Sequence, residues 1–381
     1  MQTPAEVNIL DVVEEFSCPN QSEAYQEAYR SWRRRKKNRY AFRFSKNPKE
    51  AAFSENQSVV NATPAQAEQS ALHALSVLLG CALIVYLVIE NLVDKLVILV
   101  GNRFGLRVET MYWGESRYFG DDLTVFLFTA ALQMLKILVP TLIIGLALRM
   151  PTRISVPLRV RNKGQLLCGV CLMMLLSVGV GIALVSRSAE LAKYQLITQA
   201  QQSQDNWSML YLLFTIFAAP LFWELLFHGC IFQALRQFGD WFAIGTVTVL
   251  AALLTHDVHD ALRIGLVTLT ISYFMVKTGS FLTAVLLRII HEIYMFALFQ
   301  IESVGGIYSL QWWVVVLFPC LVGLLTLLVL VLRGHEYERT PRRNPAYMST
   351  WDQATTFFTT MPMVTVLVSC VLLFVVMVML G

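Results

Sequence analysis

LFWELLFHGCIFQALRQFG, residues 221–239, places Glu224 and His228 inside an apolar stretch long enough to cross a bilayer. A charged side chain at the centre of a spanning helix costs about 2.5–3.5 kcal/mol on insertion scales, so such residues persist where they pair or do chemistry. Two readings follow for Glu224. It belongs to a polar site, or it pairs with a buried cation on a neighbouring helix and holds the bundle together.

Apolar runs of similar length recur on both sides of this stretch. With 56% hydrophobic and 15% charged residues in 381, the chain reads as an all-α, polytopic transmembrane helical bundle. Nine spans are expected, near residues 72–89, 124–148, 166–185, 209–235, 241–258, 262–276, 281–300, 311–332 and 361–380. The fifth and sixth are interrupted by His256, Asp257, His259, Asp260 and Arg263. Pro140 and Pro220 fall inside apolar runs and predict kinks.

Residues 1–68 are polar and read as a soluble, partly disordered extension with no cleavable signal. Its basic run SWRRRKKNRYAFR, residues 31–43, predicts an arm that sets topology and contacts anionic lipid through Arg33, Arg34, Arg35, Lys36 and Lys37. Trp32, Tyr40 and Phe42 would then sit at the interface. Behind this extension we expect N-terminal transmembrane helices over 69–200, a core carrying the polar site over 201–305 and C-terminal helices over 306–381.

The net charge of +4 is modest and its positive residues fall in blocks between apolar runs, which argues against a nucleic-acid partner. Those blocks are the N-terminal run, Arg149 to Lys163, Arg236, Lys277 and Arg333 to Arg343, and all lie on one side in a nine-span arrangement. By the positive-inside rule that side is cytoplasmic, with an external C-terminus and the plasma membrane as the expected location. The Asn206-Trp207-Ser208 sequon would be external. The seven cysteines lie mostly in apolar runs, and the Cys168/Cys171 pair reads as helix packing rather than redox chemistry.

Depth tests whether the polar residues can meet. Glu224 lies 12 residues before Arg236, His256 lies 16 after Asp240 and His291 lies 14 after Lys277, or roughly 18, 24 and 21 Å from one boundary. Four of the six histidines, His228, His256, His259 and His291, fall in this part of the chain. A convergent polar site within the membrane is the expectation.

Trp223-Glu224-Leu225-Leu226-Phe227-His228-Gly229 followed by IFQALRQFGDW resembles the first motif, E-E-x-x-x-R-G, of the CAAX-protease and bacteriocin-processing family of membrane proteins. Thr255-His256-Asp257-Val258-His259 resembles its second motif, and Thr278-Gly279-Ser280 with Arg288-Ile289-Ile290-His291-Glu292 its third. The similarity covers residues 209–300. It implies an intramembrane endopeptidase in which a glutamate activates water, a histidine assists, and third-motif residues stabilise the oxyanion. This chain departs from the pattern: Trp223 stands at the first glutamate, His228 at the arginine, Arg288 at the third-motif histidine and Glu292 at the final asparagine.

Peptide hydrolysis needs a base and oxyanion donors. Glu224 with His256 or His259 could supply the base, and Arg288 or His291 the donor. The alternative is an ion-pair network of Glu224 with Arg288, and of Arg288 with Glu292 at i, i+4 spacing. A zinc site is a further reading, since Glu224/His228 and His256/His259 each share a helical face. The expected function is hydrolysis of a peptide bond in a membrane-associated protein or peptide, with His228, Arg288 and Glu292 shaping the site. The alternative is a family member that has lost hydrolysis and keeps a binding, immunity or scaffold role.

Overall fold

The computed structural model describes residues 10–18, 20–46, 63–93, 99–101, 103, 107–110, 116–119, 122–184, 207–255, 257–305, 309–332 and 346–380. Asn206 and His256 lie outside them. The protein is a transmembrane helical bundle. Among the described residues, seven helices are long and apolar enough to cross a bilayer. The two short antiparallel pairings, β1 (Leu10–Asp11) with β2 (Ser45–Lys46) and β3 (Arg107–Thr110) with β4 (Ser116–Phe119), lie outside those spans.

After α1 (Glu23–Arg34), the spans are α2 (Pro64–Leu92), α3 (Asp122–Leu148), α5 (Lys163–Leu184) and α6 (Met209–Phe238). The short α4 (Thr152–Ser155) lies in the connection between α3 and α5. Then come α7 (Asp240–Leu253), α8 (Val258–Thr278), α9 (Phe281–Gly305) and α10 (Leu310–Leu332). The chain closes with α11 (Thr350–Phe358) and α12 (Met361–Leu380), a pair bent by 80°. The expected fifth span is α7, a 14-residue apolar helix of about 21 Å, short of the roughly 30 Å hydrocarbon core. It packs as a hairpin with α8, so the chain still returns to the end it left.

Pro140 is absorbed within α3, whereas α6 meets Pro220 with a change of winding. A π-helical turn over Phe214–Ala218 precedes the proline, which takes the second position of the α-helical turn Ala219–Glu224. A second π-helical stretch, Leu225–Ile231, carries His228. Such wide turns re-aim side chains without breaking the helix. Between α2 and α3, Lys136 Nζ donates to Glu90 Oε1 at 2.9 Å, an interhelical pair of the kind expected for a lone lysine in a span.

The N-terminal segment is folded onto the end of the bundle where the basic loops gather. Tyr25 donates to Gln233 Oε1 at 2.6 Å, Tyr29 to the Gln233 carbonyl at 2.8 Å and Trp32 Nε1 to the Leu148 carbonyl at 2.9 Å. Trp32 and Phe42 are fully buried and Tyr40 nearly so. These aromatics belong to the protein core and are not available to a lipid interface. Arg33 is also inward, donating to the Phe42 carbonyl and lying 5.5 Å from each of the Phe16 and Phe42 ring centres. Burial pulls its pKa down to about 10, against the opposing influence of Tyr29 and Asp11. Arg34, Arg35, Lys36, Lys37 and Arg39 remain exposed, with Arg34 paired to Glu14 and Asp11.

The Thr278-Gly279-Ser280 turn joins this segment to the bundle. Gly279 ends α8 in the left-handed region at φ 71°, and a Cβ there would sit 1.9 Å from the Asn20 carbonyl oxygen. Ser280 Oγ faces the Pro157 and Leu158 carbonyls at 3.2 and 3.0 Å, and Arg161 N donates to the Thr278 carbonyl. Gly279→Ala is expected to cost at least about 1–3 kcal/mol through backbone strain, with displacement of residues 18–21 in addition. Denaturant unfolding of the purified protein measures the first, and faster proteolysis of the N-terminal segment reports the second.

Candidate functional site

Glu224 and His228 stand one turn apart on α6, and both are about 1% exposed. His228 Nδ1 is in direct hydrogen-bond contact with Glu224 Oε2. A carboxylate only accepts, so Nδ1 carries the proton, while Nε2 faces Ser272 Oγ at 2.8 Å. Across the helix interface, Arg288 of α9 places Nε 3.6 Å from Glu224 Oε1. Its guanidinium also lies 5.7 Å from the Trp223 ring centre. The indole at the first-glutamate position therefore stacks on the cation that neutralises Glu224. Both carboxylate oxygens face a positive or proton-donating partner.

His291 belongs to a second network. Arg263 Nη1, which can only donate, points at His291 Nε2 at 3.1 Å. Nε2 is therefore unprotonated, and Nδ1–H donates to Ser177 Oγ at 3.0 Å, whose hydroxyl passes on to the Met173 carbonyl at 2.6 Å. Arg263 is held by Asp260 Oδ1 at 3.1 Å, one turn away on α8, and Glu292 lies within its electrostatic reach. Both ring nitrogens of His291 are thus committed. It is neither an open base nor a spare donor.

Of the residues expected at the site, the fold joins Glu224, His228 and Arg288 in one cluster and His291 with Arg263 in another, Glu292 standing near the second. His259 is half-buried in the first turn of α8, 13 residues before Ser272, or about 20 Å along the helix. No hydrogen bond or ion pair joins it to Glu224 among the described residues. For zinc, no three His, Cys, Asp or Glu side chains converge among the described residues, and His256 of the suggested ligand set lies outside them.

Ser272, Ser177 and the Asp260–Arg263 pair join these networks without being among the residues expected at the site. The pair carried a signal, since its i, i+3 spacing puts both charges on one face of α8. The serines carried none, because an uncharged hydroxyl in an apolar helix is ordinary.

The polar centre is closed. Glu224, His228, Ser272 and Arg288 are all at most 4% exposed. None of them lines either of two cavities, one of about 640 Å³ at the basic end and one of about 630 Å³ among Leu172, Leu176, Leu269, Tyr273, Phe274 and Leu330.

The closed centre sits within the region that resembles a known family. Residues 205–294 match the family described as Rce1-like, type II CAAX prenyl endopeptidase Rce1-like. No curated protein and no solved structure was found to match the chain. The match takes in Glu224, His228, Ser272 and Arg288 of the first network and Arg263 and His291 of the second, while Ser177 lies outside it. The protein is a membrane protein with an Rce1-like segment over about a quarter of its length, consistent with the CAAX-protease and bacteriocin-processing family.

Proposed function

We propose that this protein is a non-hydrolytic member of that family, acting in the membrane as a binding or scaffold protein for a membrane-associated protein or peptide. The observation that carries this reading is the closure of Glu224 between His228 and Arg288, with Trp223 stacked at the position where the family pattern has a glutamate. A base that activates water needs an unshared lone pair and a path for water. At 1% and 0% exposure, Glu224 and His291 are without that path. The retained pairs lock α6 to α8 and α9, preserving the fold while the hydrolytic groups are replaced. We place the end of the bundle that bears the basic loops and N-terminal segment in the cytoplasm, and the C-terminus outside. At that end the exposed tip with Lys36, Lys37 and Arg39 favours contact with an anionic bilayer surface.

A second reading has one specific observation behind it. Ser272, His228 and Glu224 follow the hydroxyl, imidazole, carboxylate order of a nucleophilic relay, and Arg288 Nη1 is a buried donor with no partner. An intramembrane endopeptidase built on that relay requires α6, α8 and α9 to part and admit substrate.

Comparing new protein termini in membranes carrying the wild type, Ser272→Ala or Glu224→Gln separates the two. The scaffold reading expects no termini that depend on Ser272 or Glu224. Wild-type-dependent cleavage lost in both variants, with normal membrane insertion, would overturn it.

A further inference from the structure

We propose that the cavity between the N-terminal segment and the connection from α4 to α5 is a binding site for a phosphate-bearing anion. The cavity has a volume of about 640 Å³, in the range of about 300–1,000 Å³ typical of small-ligand sites. Its walls bring together Arg153, Arg159 and Arg161 against a single acidic residue, Glu23, on the rim. Arg153 and Arg159 are exposed and have no ion-pair partner among the described residues. Arg161 is held in place, donating from Nη1 to the Gln21 carbonyl at 2.6 Å.

Gln21 is 3% exposed and lines the cavity, yet its side-chain Nε2 has no hydrogen-bond acceptor. The N-terminus of α1, a 12-residue helix capped by Ser22, opens onto the same space. Its free N–H groups and dipole favour an anion.

The chemistry fits phosphate more closely than carboxylate. Three guanidinium groups offer more hydrogen bonds than a carboxylate's two oxygens can use, whereas a phosphomonoester has three terminal oxygens. The volume exceeds that of a bare ion and leaves room for the body of a headgroup or a small phosphate ester. The ligand would bridge residues 20–25 to residues 153–161, fastening the N-terminal segment to the bundle.

Purified full-length protein is titrated in detergent with inorganic phosphate and with glycerol 3-phosphate. It is also reconstituted in nanodiscs of phosphatidylcholine alone or with phosphatidic acid. The readout is the thermal unfolding midpoint. A midpoint raised by the phosphate-bearing probes is expected, with half-saturation weakened about tenfold or more in Arg153→Gln/Arg159→Gln. Both arginines are exposed, so this variant keeps its fold. A rise with inorganic phosphate or glycerol 3-phosphate identifies a soluble ligand, and a rise only with phosphatidic acid identifies a lipid headgroup. No rise with any probe, or an equal rise in the arginine variant, overturns the proposal. So does an equal loss in Lys36→Gln/Lys37→Gln, which would assign the effect to general surface charge.

Discussion

Glu224→Gln is expected to destabilise the folded protein by about 3–5 kcal/mol, because it leaves Arg288 buried at 4% exposure without its counter-charge. The desolvation of a guanidinium is offset here by one carboxylate and the face of Trp223. Removing the carboxylate strands the cation. Arg288→Met alone is expected to be costly for the mirror reason, since Glu224 then keeps only His228. The double variant Glu224→Gln/Arg288→Met should recover most of the loss, as a buried pair replaced by apolar or neutral groups of similar volume is close to neutral. Unfolding in mixed micelles, analysed as a double-mutant cycle, measures the coupling. A Glu224→Gln variant as stable as the wild type would show that the pair does not lock the helices.

Trp32→Ala is expected to cost about 3–5 kcal/mol, the usual loss for a fully buried indole. The side chain fills the space between α1 and the end of α3 and carries the hydrogen bond to the Leu148 carbonyl. Cys18 provides a local reporter of the same event. Its thiol is 1% exposed, and burial pushes its pKa up to about 12, partly opposed by Arg236. At neutral pH the intact protein should therefore resist maleimide at Cys18. In Trp32→Ala, labelling at Cys18 should become faster as the segment detaches, while Lys36→Gln/Lys37→Gln should leave it unchanged.

The contrast between Trp32 and Lys36 shows where sequence reasoning ran out. The run SWRRRKKNRYAFR is basic and aromatic, and composition places such a segment at a membrane surface. In the fold its residues divide by face: Trp32, Arg33, Tyr40 and Phe42 turn inward, and Arg34 to Lys37 turn outward. The dividing factor is a surface supplied from far along the chain, by Leu148, Gln233 and Gln237.

Counting residues from the basic boundary put Glu224 and His291 at similar levels, but level does not fix azimuth. His291 turns toward α5 and Arg263, Arg288 one turn earlier meets Glu224, and Ser272 receives His228. Around a helix each residue advances about 100°, so neighbours on one helix enter different networks.

By itself the sequence determined that the chain is a helical membrane protein, because runs of apolar residues near the bilayer's thickness leave the backbone no other satisfied conformation. It also located the polar centre at Leu221 to Gly239, because a glutamate and a histidine at that depth need partners. Tertiary structure alone decided who those partners are. Arg288 closes one side of Glu224 and a serine stands behind His228, because helix rotation and packing are set by contacts between segments that no single stretch of sequence contains.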